Sequence, residues 1–234
     1  MADANARPRP APPGATAPVQ RPRLAASLIL TRARQNGSVE ILFGRRSGGH
    51  VFMPQKYVFP GGRVDRTDGY APLAREVREE VQAVLTRVLS ERRARAAAAA
   101  ALRETAEETG LLLARPGTIE RPRPAWKPFA DAGVKPDAAA LDLVARAITP
   151  PGRTRRFDAW FFRADADQVH GEASLSGNGE LEDLRWVALD QARHLDIPII
   201  TRFVLSELEA HLDGKRAPVR CARVTSKGPR VDEV

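Results

Sequence analysis

The sequence predicts an α/β fold in which a β-sheet carries helices on its faces. Short apolar runs typical of strands alternate along the chain with longer segments of helical periodicity. Hydrophobic residues make up 43% of the 234 residues, which is enough for a substantial core. No apolar run approaches the length of about 18 residues that a membrane-spanning helix needs, so no membrane partner is expected.

Positive charge is concentrated at the two ends of the chain. The 37 Lys and Arg outnumber the 29 Asp and Glu, and most of the excess lies in residues 1–23 and 215–234. Residues 1–22, which are rich in Ala, Pro and Arg, predict a disordered tail, and residues 215–234 predict a basic C-terminal tail. Such tails can bind nucleic acid, although a solvated tail needs no partner. The single Cys221 excludes an internal disulfide and favours a reducing compartment, so a cytoplasmic location is expected.

The first elements are predicted to be a hairpin and a glycine turn. Residues 24–32 and 39–45 form two apolar runs, and the Asn-Gly between them favours a tight hairpin. Residues 57–65, YVFPGGRVD, predict a short strand that runs into a Pro-Gly-Gly turn. The two glycines, Gly61 and Gly62, let backbone groups approach a ligand closely.

The middle of the chain is predicted to be helical. Residues 72–88 carry apolar side chains at a spacing of three and four, and residues 91–109 are Ala-rich and end at Gly110. Residues 115–136 contain five prolines and predict a loop. Its aromatic residues Trp126 and Phe129 have two interpretations, stacking on an adenine or packing on the core.

The remaining elements are predicted to alternate between helices and strands. Residues 137–148 are expected to be a helix with an Asp cap, and residues 155–165 and 183–189 are expected to be strands. Pro198 opens a last helix with one apolar stripe, and Gly214 ends it.

The phrase Arg-Glu-x-x-Glu-Glu occurs twice, at residues 75–80 and 103–108. On a helix this spacing gathers three carboxylates on one face, where they repel one another unless a cation lies among them. Mg²⁺ suits such a site because it binds carboxylate oxygens, waters and substrate phosphates. After the second copy, Thr109-Gly110 stops the helix, whereas the first copy continues and alternates with arginines, as solvated, ion-paired faces do. The second copy is therefore the predicted metal site.

These residues resemble the signature of the Nudix hydrolase superfamily. Gly62 corresponds to the first glycine of that signature, Asp68 stands where its first Glu is expected, and residues 103–111 supply the closing half with six of seven defining positions matched. The sequence departs from the pattern at Asp68, at Thr105, and in the 34 residues between Asp68 and Arg103, where the family has seven. A signature interrupted in this way is similar to the branch that contains the peroxisomal coenzyme A diphosphatases. This chain ends in VDEV and has no peroxisomal Ser-Lys-Leu-type ending.

The resemblance covers about residues 24–212 and implies an α/β/α sandwich around a mixed sheet. One domain is expected at 23–214, with an inserted helical segment at about 69–95. That segment is open to three interpretations: a roof over the site, a homodimer interface, or added bulk.

The resemblance also implies a set of site residues. Glu104, Glu107 and Glu108 would bind Mg²⁺, with Mn²⁺ as an alternative ion and the backbone carbonyl of Gly62 as a further ligand. Arg103 would pair with one of these glutamates and hold its rotamer.

The other expected site residues lie outside the second phrase. Glu180 and Glu182, in a turn before a strand, are two alternatives for a general base, and surface acids would look the same. Arg45, Arg46 and Arg156 are expected to bind phosphate, and a solvated role suits each of them equally.

The resemblance implies hydrolysis of a nucleoside diphosphate linked to another moiety. Coenzyme A or acyl-coenzyme A is the favoured small-molecule substrate. Two alternatives are a non-catalytic RNA-binding module and an RNA 5′-end pyrophosphohydrolase, so nucleic acid is a less favoured partner.

Overall fold

The computed structural model describes residues 20–48, 54–171, 174–176, 178–214, 218–225 and 227–234. The tail predicted for residues 1–22 therefore lies almost entirely outside the described residues.

The described elements form a mixed α/β structure, as predicted. The strands are β1 (Arg23–Ala33), β2 (Val39–Arg46), β3 (Tyr57–Val58), β4 (Gly61–Arg63), β5 (Ala114–Pro116), β6 (Val134–Pro136), β7 (Asp142–Ile148), β8 (Phe157–Asp165), β9 (Leu181–Ala188), β10 (Arg220–Thr225) and β11 (Gly228–Glu233). The α-helices are α1 (Glu79–Thr86), α2 (Glu91–Thr109), α3 (Lys127–Asp131) and α4 (Ile199–Leu212).

The main sheet is mixed in strand direction. Within the described residues its order is β11-β10-β7-β8-β1-β2-β3, with β4 paired to β1 and β9 paired to β2. The pairs β1–β8 and β10–β7 are parallel, and the other pairs are antiparallel. Strands β5 and β6 form a separate two-stranded sheet.

Helices cover both faces of the main sheet. In β1 successive side chains alternate between the two faces, so Leu28 and Leu30 join the cluster under α2 while Ile29 joins the cluster under α4. The result is the three-layered sandwich that the sequence implied. In the part of the chain that the structure describes, no helix is long and apolar enough to cross a lipid bilayer.

The predicted hairpin is confirmed. Strands β1 and β2 pair antiparallel, and Gly37 in the turn adopts a φ of +80°, which glycine tolerates without strain.

The helix predicted for residues 72–88 is only partly confirmed, because regular helix covers Glu79–Thr86. Arg75 lies in an extended segment that bridges to Asp137, and Arg75 donates two hydrogen bonds to the Asp137 carboxylate. The bridge pairs backbone groups of the segment, and the Asp137 carboxylate neutralises the Arg75 charge, so the segment needs no helix to satisfy them. The apolar side of α1, including Val81 and Leu85, is buried in the cluster that contains α2, so the inserted segment has a packing role.

The helix predicted for residues 137–148 is wrong. A short 3-10 turn at Ala138–Ala140, in which the Asp137 side chain accepts a hydrogen bond from the Ala139 N–H, leads directly into β7. This strand pairs with β8 on one side and β10 on the other, and burial within the sheet overrides the local helical preference.

Residues after Gly214, predicted to be a basic tail, instead include strands β10 and β11. Strand β10 pairs with β7. Without β10, strand β7 would be the exposed edge of the sheet. The charges of this hairpin are neutralised locally, since Arg220 pairs with Glu207 of α4 and both Arg223 and Arg230 pair with Asp232.

Candidate active site

The last two turns of α2 face a glycine turn on β4. Strand β4 pairs with β1 and thereby holds Gly61 and Gly62 beside the helix. A Cβ atom at Gly62 would lie 2.6 Å from the carboxyl carbon of Glu104, so a side chain at this position would displace the glutamate. The backbone N–H of Gly61 donates a hydrogen bond of 2.8 Å to Glu108 Oε2. The glycines therefore allow the backbone to touch both carboxylates.

Arg103 is the buried centre of this site. Its Nε and Nη2 donate to the two oxygens of Asp68 at 2.8 and 3.0 Å, and its Nη1 donates to Glu104 at 2.8 Å and Glu107 at 3.1 Å. Nη2 also donates to the carbonyl of Arg63 at 3.1 Å. Burial alone would lower the pKa of Arg103, but its hydrogen bonds to Asp68 and the charges of the acids raise that pKa above the ordinary value. The guanidinium therefore stays charged and fixes the rotamers around it.

The carboxylates carry strongly raised pKa values. Burial raises the pKa of Glu104 to about 7, although the charge and hydrogen bond of Arg103 partly oppose the rise. Burial also raises the pKa of Glu108 to about 8, against the hydrogen bond from Gly61 and with a further contribution from Glu104. The pKa of Glu107 is raised as well, mainly by burial. A positive ion placed among these groups would favour their ionised forms.

The described residues contain no group of three or more His, Cys, Asp or Glu side chains that is already arranged to hold a metal ion. The hydrogen bonds explain this, since Arg103 holds Glu104 and Glu107 while Gly61 holds Glu108. The donor chemistry still fits a hard divalent cation, because the carboxylates of Glu104 and Glu108 lie beside the Gly61–Gly62 turn and such ions bind oxygen ligands. The predicted three-carboxylate site is present as a set of residues and is not a preformed cage.

Thr105 departs from the aliphatic residue of the family pattern without leaving a polar group unsatisfied. Its side chain is fully buried, and its hydroxyl donates a 2.8 Å hydrogen bond to the Ala101 carbonyl in the preceding turn. The helix itself thus accommodates the substitution.

The three predicted phosphate-binding arginines have different surroundings. Arg46 is close to the carboxylates: burial lowers its pKa, while the charges of Glu108, Glu180 and Glu104 act in the opposite direction. Side chains alternate along β2, so Arg45 lies on the other face of the sheet. There Arg45 Nη2 lies 3.6 Å from Glu182 Oε2, and the backbone of Arg45 pairs with that of Tyr57. Only Arg46 joins the site.

Arg156 is occupied by backbone carbonyls. Its Nε donates to Thr149 at 3.1 Å and its Nη1 to Gln20 at 2.6 Å. These bonds tie the start of β8 to the chain before β1, so the prediction that Arg156 binds phosphate gives way to a structural role.

The two alternatives for a general base have different charged neighbours. Burial is the main reason that the pKa values of Glu107 and Glu108 are raised, and the negative charge of Glu180 adds to both shifts. Glu182 instead pairs with Arg45. Glu180 is therefore the one of the two whose charge acts on the carboxylates.

The first Arg-Glu phrase does not form a carboxylate face. Glu76 pairs with Arg95 of α2, and Glu79 and Glu80 stand exposed at the start of α1. The aromatic residues of the Pro-rich loop are also accounted for, since Trp126 and Phe129 are buried against α2 and pack on the core.

Asp68 is a site residue that the sequence pattern alone does not single out. It appeared only as an imperfect match to a glutamate, yet it is 1% exposed and binds Arg103 through both oxygens. A buried arginine needs a carboxylate partner, and the distance of Asp68 along the sequence concealed the pairing.

Comparisons with known proteins show which domain family and fold this chain resembles. A model of the NUDIX domain family matches residues 91–205, a range that starts with α2 and leaves out α1. The crystal structure of a NUDIX hydrolase from Alicyclobacillus acidocaldarius is 28% identical, with 80% of this chain and 90% of that chain covered and a TM-score of 0.58.

Two further solved structures are more distant. An Ap4A hydrolase from C. elegans is 16% identical over 82% of this chain and 98% of that chain, with a TM-score of 0.46. A MutT protein from Methanosarcina mazei Go1 is 16% identical over 83% of this chain and 98% of that chain, with a TM-score of 0.49. None of the curated proteins compared with the chain matches it.

Proposed function

We propose that the chain is a Mg²⁺-dependent diphosphatase, because the NUDIX domain family matches residues 91–205 and Nudix hydrolases cleave phosphorus-containing anhydrides. Its substrate in this proposal is a nucleoside diphosphate linked to another moiety. The observation that carries the proposal is the convergence of Glu104, Glu107 and Glu108 on Arg103 beside the Gly61–Gly62 turn.

The residues that would hold the ion are Glu104, Glu107 and Glu108, with the carbonyl of Gly62. When bound, Mg²⁺, or Mn²⁺ in its place, would neutralise the diphosphate and acidify a water. Arg103 cannot itself bind substrate while five hydrogen bonds hold it, so its task is to orient the glutamates.

Water supplies the nucleophile in this reaction. Its oxygen forms a bond to one phosphorus, the bridging anhydride oxygen leaves with the bonding electrons, and two phosphate monoesters result. Glu180 would accept the proton of the attacking water, and the support is that it is exposed and that its negative charge acts on both Glu107 and Glu108. Arg46 would bind a phosphate oxygen opposite these acids.

Coenzyme A or an acyl derivative is the substrate that we favour. The support is the interrupted signature, in which the inserted residues between Asp68 and Arg103 form α1 and the first part of α2. The buried, single Cys221 fits a reducing compartment such as the cytoplasm.

The proposal is tested by measuring phosphate-ester products from coenzyme A, ADP-ribose, NADH and 5′-triphosphorylated or capped RNA, with Mg²⁺, with Mn²⁺ and with EDTA. We expect cleavage of coenzyme A into adenosine 3′,5′-bisphosphate and 4′-phosphopantetheine that stops in EDTA. If RNA were turned over faster than coenzyme A, the assigned substrate would be RNA 5′ ends instead of coenzyme A. No metal-dependent turnover of any of these would contradict the proposal.

A further inference from the structure

Tyr70 is an exposed aromatic side chain held between two arginines. It lies in the 3-10 turn Asp68–Tyr70 and is 62% exposed. Arg92 of α2 donates a 3.4 Å hydrogen bond to its hydroxyl, and the guanidinium carbon of Arg123 lies 5.9 Å from the ring centre. The Pro-rich loop and the helix thus meet at a ring that still presents much of its surface to solvent.

A depression of about 230 Å³ lies beside this tyrosine. Its floor includes Leu24, Val64 and Ala96, and its rim carries Arg66, Arg92 and Arg93. The one acid in its lining, Asp65, is paired with Arg63 at 2.9 Å. Among the residues that the structure describes, no carboxylate pairs with any of the three rim arginines, so the depression is strongly positive.

This surface is separate from the catalytic carboxylates. Arg92 and Glu104 are twelve positions apart on α2, which corresponds to about 18 Å along the axis at 1.5 Å per residue. A neighbouring depression of about 430 Å³ also contains Arg92, but Glu76 and Glu91 line it and make it a poorer site for an anion.

We propose that Tyr70, Arg66, Arg92, Arg93 and Arg123 form a second site that binds a phosphorylated nucleotide. The phosphate lies among the rim arginines, whose planar guanidinium groups suit bidentate binding of phosphate oxygens. The base stacks on the Tyr70 ring, as bases stack on exposed aromatic side chains in proteins that bind single strands. This site goes beyond the proposed diphosphatase activity and does not depend on it.

A free nucleotide and a single-stranded RNA present the same chemistry to this surface. The test therefore uses two probes, adenosine 3′,5′-bisphosphate by calorimetry and a fluorescent oligoadenylate of about eight nucleotides, within the usual site size, by anisotropy. Both are measured on the full chain in EDTA, so that divalent ions do not recruit the probes to the glutamates.

The variants are Arg92→Gln, Tyr70→Ala and Tyr70→Phe, with Arg202→Gln as the matched control on the far side of the sheet. Arg202 is exposed on α4 and donates a hydrogen bond to the Arg193 carbonyl. The change Arg202→Gln therefore also removes one charge and one hydrogen bond. All positions are on the surface, and thermal unfolding checks that each variant is folded.

We expect Arg92→Gln to weaken binding about tenfold, the usual effect of losing a hydrogen bond to a charged group. Tyr70→Ala also weakens it about tenfold through lost stacking, whereas Tyr70→Phe keeps the ring and stays within about twofold. For the oligonucleotide, Arg92→Gln lowers the slope of log affinity against log salt by about 0.7.

The two probes distinguish the source of the ligand. Equal sensitivity of both probes to the variants identifies a single-nucleotide site, and sensitivity of the oligonucleotide alone identifies a site for a strand. Wild-type affinity in Arg92→Gln and Tyr70→Ala overturns the proposal. A competition measurement with an acidic peptide gives a second way to overturn it. If the peptide displaces the probes as well as unlabelled nucleotide does, and Tyr70→Ala has no effect, the surface is a protein-binding or purely electrostatic one.

Discussion

At the scale of single residues, Glu107 and Glu108 are the most direct test of the active site. The double change Glu107→Gln with Glu108→Gln removes two ionisable carboxyl groups but leaves an oxygen that can accept the Gly61 N–H. We expect kcat/KM to fall at least about 100-fold, because even residues that only orient metal ligands cost up to that amount. The matched control, Glu79→Gln with Glu80→Gln, changes exposed acids of the first phrase and should keep most activity. Equal losses in both pairs would contradict the assignment of the second phrase.

Glu180 and Glu182 offer a second matched pair. A general base commonly contributes about 10²- to 10⁴-fold, so Glu180→Gln should lower kcat by about 100-fold or more while KM changes little. Glu182→Gln removes a surface pair with Arg45, and such pairs affect stability and activity only slightly. Steady-state kinetics with saturating metal measure both variants. If Glu182→Gln were the slower enzyme, the base would have to lie on the other side of the strand.

At the scale of elements, local signals predicted those parts of the fold whose partners are near in sequence. The Asn-Gly hairpin and the helix that ends at Gly110 are examples. The helix prediction for residues 137–148 was wrong because their conformation depends on pairing with strands β8 and β10, which lie outside the segment. Within the site, the second Arg-Glu phrase identified the glutamates, but Asp68 was recognisable as the partner of Arg103 only in three dimensions.

Asp137 joins three elements, and its pKa makes that joint pH-dependent. Burial would raise the pKa of Asp137, but hydrogen bonds from Arg75 and Arg115 outweigh it and lower the pKa. Asp137 is 2% exposed, while about half of each arginine side chain is exposed. Asp137→Asn should therefore reduce the free energy of unfolding by about 2 kcal/mol at pH 7, less than for a fully buried pair.

The sign of the pH effect follows from the lowered pKa. Asp137 is ionised in both states above its unfolded pKa of about 3.9, so the ion pairs contribute fully there. As the pH falls below that value and through the folded pKa, the carboxylate is protonated and the contribution is lost. Urea unfolding of the wild type and Asp137→Asn should show a constant difference at pH 5–8 that narrows in acid. A difference that widened in acid would show that the arginines do not lower the pKa.

At the scale of the whole molecule, the basic C-terminal end is part of the fold. The C-terminal end supplies β10, which extends the sheet at β7, and Arg220 neutralises Glu207, which is only 7% exposed. Removing residues 218–234 would leave that glutamate unpaired and expose β7. We expect this truncation to lower the free energy of unfolding by about 3 kcal/mol or more, because breaking a buried ion pair costs about that much. Loss of activity in such a truncation would therefore reveal nothing about RNA.

The N-terminal end gives a cleaner experiment on the same question. Gln20 accepts a hydrogen bond from Arg156, and β1 begins at Arg23, so a deletion of residues 2–19 spares every one of these contacts. We expect that deletion to leave unfolding unchanged and kcat/KM for coenzyme A within about twofold, the range of surface changes that touch no built feature. Turnover of triphosphorylated RNA, measured in parallel, should respond no more than coenzyme A does. A selective loss of RNA turnover, growing as salt is lowered, would instead mean that Arg7 and Arg9 bind the RNA backbone, and it would favour RNA 5′ ends as the substrate.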